Sequence, residues 1–86
     1  MAKITIYTTF LCPYCAAAKE LLDKKGAAYD EIDVSYSPDL RREMTDKSGG
    51  RTSVPQIWIG DLHIGGCDDL HALDGRGGLA PLLAPA

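Results

Sequence analysis

Thr9-Phe10-Leu11-Cys12-Pro13-Tyr14-Cys15-Ala16-Ala17-Ala18 is the stretch that decides how this chain folds. Two cysteines three positions apart, with a proline between them, stand where an alternating apolar segment gives way to an alanine-rich run. That junction puts Cys12 at a helix N-terminus, where the free N–H groups of the first turn and the helix dipole favour a thiolate over a thiol. Pro13 suits the first helical position, because its missing N–H would have had no partner and its φ is already helical. Cys15, one turn on, lies on the same face as Cys12, so a disulfide between them can close without unravelling the helix. Cys12 is the exposed end and the better attacker; Cys15, inside the helix, is placed to resolve a mixed disulfide.

Outward from this stretch, Lys3 to Tyr7 alternates, with Ile4 and Ile6 on one face and Thr5 and Tyr7 on the other, which predicts a strand. The cysteine helix runs through strong helix formers to Lys25, with Ala18, Leu21 and Leu22 as its apolar stripe and Gly26 as its stop. A second strand is expected over Ala28 to Val34. Strand, helix and strand in so short a space imply a right-handed crossover and two parallel strands. Ser37-Pro38-Asp39 starts a second helix to about Lys47, with Leu40 and Met44 marking its buried side. Val54 to Gly60 then reads as a strand, with Ile57 and Ile59 opposite Gln56 and Trp58. A tight turn at Gly60-Asp61 leads to an antiparallel Leu62-His63-Ile64. Gly65-Gly66 breaks that strand, and a last helix begins near Cys67-Asp68-Asp69, turns Leu70 and Leu73 inward and ends at Gly75. Leu79, Leu82 and Leu83 are expected in a short C-terminal turn, with Pro85 closing the chain. The order is β-α-β-α-β-β-α, an α/β fold with a four-stranded mixed sheet flanked by helices, read as a single domain over residues 1–86.

At 86 residues there is room for one core, and 45% apolar with 24% charged residues is an ordinary globular balance. A formal net charge of -3 argues against a nucleic-acid surface, and the longest apolar runs fall far short of a membrane span. Residues 1–7 alternate instead of forming a continuous apolar segment of the signal-peptide kind, so a soluble, cytoplasmic protein is expected. Three cysteines with one close pair do not make a secreted disulfide framework; in a reducing compartment such a pair is catalytic or metal-binding. A C-x-x-C at the top of the first βα turn of a βαβ unit is the redox signature of thioredoxin-like folds.

Cys12-Pro13-Tyr14-Cys15, Thr52-Ser53-Val54-Pro55-Gln56 and Gly65-Gly66-Cys67-Asp68-Asp69-Leu70 together resemble the three signature segments of the dithiol glutaredoxins, in particular the bacterial glutaredoxin-3 type. The resemblance covers nearly the whole chain. It implies a thioredoxin-like fold and a monomer that reduces protein disulfides and protein–glutathione mixed disulfides. Glutathione is then the co-substrate, with no tightly bound cofactor and no metal. Ribonucleotide reductase is a partner expected at the level of the family. By position, Cys12 attacks and Cys15 resolves. Pro55 is the cis-proline facing the active site, which leaves the Val54 backbone free to pair with the cysteinyl part of glutathione like an added strand. Tyr14 flanks the tripeptide and Ser53 stands where threonine is commoner. Gly66, Cys67 and Asp68 hold the γ-glutamyl end, with helix-start N–H groups on its carboxylate and Asp68 on its ammonium. Arg41 or Arg42 is within range for the glycine carboxylate. Thr9 stands where many members carry a lysine that favours the thiolate.

Two other functions fit parts of the pattern. One is a [2Fe–2S] carrier holding its cluster between two subunits through Cys12 and glutathione, against which Pro13 counts because it stiffens the loop. The other is a redoxin served by thioredoxin reductase. A structural zinc site would need a second close ligand pair, which Cys67, His63 and His71 do not form. Otherwise Cys67 reads as a partly buried small residue, His63 and His71 as surface residues, and Trp58 and Tyr7 as packing residues.

Overall fold

The computed structural model describes residues 3–83. The elements run β1 (Ile4–Thr8), α1 (Pro13–Lys24), β2 (Asp30–Asp33), α2 (Pro38–Lys47), β3 (Gln56–Ile59), β4 (Leu62–Gly65), α3 (Cys67–Gly75) and α4 (Leu79–Leu83). They form one four-stranded sheet in the order β2-β1-β3-β4. β1 and β2 are parallel, whereas β3 is antiparallel to both β1 and β4. No helix among the described residues is long and apolar enough to cross a membrane.

The two central strands are covered on both faces, which is why alternation along them separates two cores and not a core from solvent. Ile4, Ile6, Ile57 and Ile59 pack with Ala18 and Leu22 of α1 and Leu70 of α3. On the other face Tyr7 and Trp58 pack with Val34 and with Met44 of α2. Tyr7 meets Trp58 edge to face at 5.3 Å, and the Lys47 ammonium lies 4.9 Å from the Trp58 ring centroid. Tyr7 and Trp58 are thus the packing residues expected. α2 has the expected bounds, its first turn closed by the Ser37 hydroxyl, which accepts from the Leu40 N–H at 3.2 Å.

Three differences from the sequence reading have local causes. β2 is only four residues long, because it is an edge strand whose Asp30, Glu31 and Asp33 are exposed and whose ladder follows β1 over Thr5–Thr8 alone. β3 starts at Gln56 instead of Val54, since Pro55 has no N–H to give to the ladder. The C-terminal turn is a short helix, α4, with Leu79 fully buried in the α1–α3 core. Pro85 lies outside the described residues.

Strand register gathers the three motif segments at one end of the sheet. β1 ends there at Thr8, leading to α1, and Tyr7 is paired with Gln56, so the segment ending in Pro55 arrives beside it. Ile57 is paired with Gly65, which brings the start of α3 to the same end. Leu22 is fully buried where α1 meets the sheet, and Leu22→Ala should cost about 3 kcal/mol through lost burial and a residual cavity. Urea denaturation followed by far-ultraviolet circular dichroism checks this.

Candidate active site

Cys12 is the N-cap of α1: its backbone is extended, and its sulfur accepts the Cys15 N–H at 3.1 Å. The first turn of α1 carries no acidic side chain, so nothing but the sulfur answers the positive end of the dipole. Leu11, 83% exposed, turns the chain into this cap through a left-handed backbone at φ 54°, a conformation that costs a side-chain-bearing residue about 1–2 kcal/mol. The turn is held on both sides. The Phe10 N–H donates to Ser35 Oγ at 2.6 Å, and the Ala16 N–H donates to the Cys12 carbonyl at 3.0 Å.

The two sulfurs differ in surroundings. Cys12 is half-exposed, and its sulfur lies 4.0 Å from the Val54 carbonyl oxygen. Cys15 is 2% exposed. Burial pushes the Cys15 thiol up to about 12, and its hydrogen bond with Cys12 and the charge of Cys12 add to the rise. One sulfur is therefore open to solvent and the other is buried and held as a thiol.

The expected glutathione-contacting residues fall mostly in one concavity of about 170 Å³, which joins Tyr14 to Val54 and Pro55 and these to Gly66, Cys67 and Asp68. Val54-Pro55 is a cis peptide. Tyr14 and Asp68 are exposed, Val54 is half-buried, and Pro55, Gly66 and Cys67 are buried. Burial, then the charge of Asp68, pushes the Cys67 thiol up. Ser53 is exposed and stands outside that wall, tied back by Gln56. The Gln56 side-chain N–H₂ donates to the Ser53 carbonyl at 3.0 Å, leaving its oxygen to accept from His63 Nε2 at 2.8 Å. His63 therefore carries its proton on Nε2. It is half-buried and stacked on Trp58 at 4.6 Å, not the surface residue expected, because β4 places it opposite that indole. His71 is exposed as expected. The Arg41 guanidinium donates to the Thr52 carbonyl at 3.1 Å, just before the Val54-Pro55 turn.

Arg51 and Asp69 also line this concavity; from sequence Asp69 reads only as part of the α3 start and Arg51 has no role. Arg51 Nη1 lies 3.1 Å from Asp69 Oδ2, and the same oxygen accepts the Gly66 N–H at 2.9 Å, capping α3. Gly65, at φ 115°, runs directly beneath the pair: a Cβ there would collide with the Asp69 carboxylate and the Arg51 guanidinium. The available signal was an acid three residues after a helix-capping glycine, the spacing of a capping box.

A C-x-x-C capping a helix beside a cis-proline, on a mixed sheet of this topology, defines a thioredoxin-like thiol–disulfide oxidoreductase. Comparison narrows the class. A family model described as Glutaredoxin matches residues 4–64. Glutaredoxin 3 of Escherichia coli strain K12 is 55% identical over 83 residues, which is 96% of this chain and 99% of that protein. The solution structure of glutaredoxin from Brucella melitensis superposes with a TM-score of 0.85 at 55% identity, covering 96% of this chain and 89% of that one. The crystal structure of a buckwheat glutaredoxin–glutathione complex gives a TM-score of 0.86 at 30% identity, covering 95% and 76%. The chain belongs to the glutaredoxin family, thiol–disulfide oxidoreductases for which dependence on glutathione is general.

Asp69 offers a pH test of the α3 cap. The Gly66 N–H and then Arg51 hold its carboxyl below the ordinary 3.8, so its contribution is complete above that value and is lost as pH falls through the lower folded value. Between pH 4 and pH 2 the wild type should lose stability more steeply than Asp69→Asn, measured by thermal unfolding across the acid range.

Proposed function

We propose that this chain is a glutathione-dependent oxidoreductase that reduces protein–glutathione mixed disulfides and protein disulfides through Cys12 and Cys15. The observation that carries the reading is the position of the Cys12 sulfur, capping α1 and 4.0 Å from the carbonyl of Val54, a residue of the concavity that holds all the other expected glutathione contacts but Ser53. A relative of the same fold, the buckwheat glutaredoxin, has been crystallised with glutathione.

In the first half-reaction the Cys12 thiolate attacks the glutathione sulfur of a mixed disulfide. The S–S bond to the substrate breaks, and the substrate leaves as a thiol after taking a proton from solvent. Tyr14 and the Val54 backbone flank the bound tripeptide. Its γ-glutamyl carboxylate lies at the start of α3, and its ammonium meets Asp68. A second glutathione thiolate then attacks the sulfur held on Cys12, leaves as glutathione disulfide and restores the thiolate. For a protein disulfide, Cys15 attacks the mixed disulfide at Cys12 and two glutathiones reduce the resulting bond.

Coupling to NADPH and glutathione reductase, with a small glutathione mixed disulfide as substrate, tests this directly. Cys12→Ser should abolish turnover, whereas Cys15→Ser should keep it. Failure of the wild type to turn over would remove the proposal. Asp68→Ala should raise KM for the mixed disulfide roughly tenfold with little change in kcat, because it removes one charge-assisted hydrogen bond from binding.

A further inference from the structure

On the side of the cysteine pair away from the glutathione concavity lies a larger one, about 450 Å³, bounded by Phe10, Cys12 and Cys15, with Lys19 and Glu31 also in its wall. Lys19 follows Cys15 by one helical turn, so both side chains leave α1 on the same face. Its ammonium donates to Glu31 Oε2 at 3.1 Å, and that oxygen also accepts the Thr8 hydroxyl at 2.8 Å. Thr8 is buried on the central strand β1, so the carboxylate has a fixed anchor and the ammonium is kept at the wall it shares with Cys15. The Thr8 hydroxyl, then Lys19, hold the Glu31 carboxyl low, and Glu31 in turn raises Lys19, so both stay ionised.

The resolving step needs such a charge. Burial makes Cys15 a poor thiolate, and Cys12 works against it as well; the Thr9 backbone and the Lys19 ammonium act in the other direction. Around this pair stand Cys12 on α1, Glu31 and Asp33 on β2, and Tyr29 just before β2. Asp33 is engaged by the Ser35 N–H at 2.8 Å.

We propose that Lys19, held by Glu31 and Thr8, is a positioning residue for the second half of the dithiol cycle. Its ammonium stabilises the Cys15 thiolate as that sulfur attacks Cys12. The Cys12–Cys15 bond forms, the bond from Cys12 to the substrate or glutathione sulfur it holds breaks, and the proton given up by Cys15 passes through solvent to the departing thiolate. This rests on the dithiol, glutathione-using reading above.

The test separates the two. Reduced protein is mixed with glutathione disulfide, quenched in acid at intervals and weighed intact, from pH 6 to pH 9. Growth of a Cys12–glutathione adduct reports attack by Cys12. Its decay to the internal disulfide reports attack by Cys15. Lys19→Met should slow the decay roughly tenfold at pH 7 and move its pH profile up by about one unit, while the adduct grows as in the wild type. Lys19→Arg should restore most of the decay rate, since it keeps the charge. Unchanged decay in Lys19→Met, or equal slowing in Lys19→Met and Lys19→Arg, overturns the role of the charge. Absence of both the adduct and the internal disulfide in the wild type overturns the glutathione reading, and this proposal with it.

Discussion

The hydrogen bond from the Cys15 N–H to the Cys12 sulfur is the contact on which the rest of this structure turns. The helices that begin at Pro13, Pro38 and Cys67 meet the same need, a partner for unpaired N–H groups, in three different ways. α2 uses the Ser37 hydroxyl with Asp39 in its first turn, and α3 uses the Asp69 carboxylate with Asp68 beside it. α1 uses the Cys12 sulfur itself and carries no acid there. A carboxylate in that turn would neutralise the positive helix end and repel a thiolate. Leaving it out reserves the dipole of α1 for the sulfur.

One helix thus sets two identical side chains one turn apart into opposite surroundings. Cys12 stands half-exposed at a helix end with the Cys15 N–H directed at it, and Cys15 is buried, where a charged sulfur is poorly solvated. The asymmetry gives the pair a direction: in the proposed mechanism the half-exposed sulfur attacks first and the buried one second. Burial disfavours charge on the second sulfur, and among the described residues the side-chain cation acting on it, Lys19, comes from the next turn of the same helix.

The concavities on the two sides of the cysteines differ in make-up. One is built by loop and helix ends from three separate segments and is lined in part by the Arg51–Asp69 pair above Gly65. The other is bounded by the turn at Thr9 to Leu11, α1 and the edge strand β2, with Lys19 and Glu31 paired in its wall. The loop that ends at Pro55 is fixed from beneath by Gln56, a fully buried amide whose donor and acceptor sides are both used, so the loop position depends on the back of the sheet.

Much of this was legible in order along the chain. Alternation in Ile4–Tyr7 and Gln56–Ile59, the Ser37-Pro38 start, the glycine stops and the C-x-x-C placed the elements and the two sulfurs, because each depends on interactions within a few residues. The motif segments around Pro55 and Gly66 were recognisable as strings, and they do share a concavity with Tyr14. What the string alone could not yield were the pairs that join distant segments: Arg51 to Asp69, Lys19 to Glu31, and Gln56 to both Ser53 and His63. A charged residue reads the same in sequence whether it faces water or a partner. Strand register decides which: Tyr7 opposite Gln56 and Ile57 opposite Gly65 bring those segments within hydrogen-bond reach. The sequence by itself determined the helix-capping thiol and a second thiol one turn on along the same face, since capping and helical spacing are local. Only the tertiary structure decided which charges surround them, since that follows from packing β1 between β2 and β3.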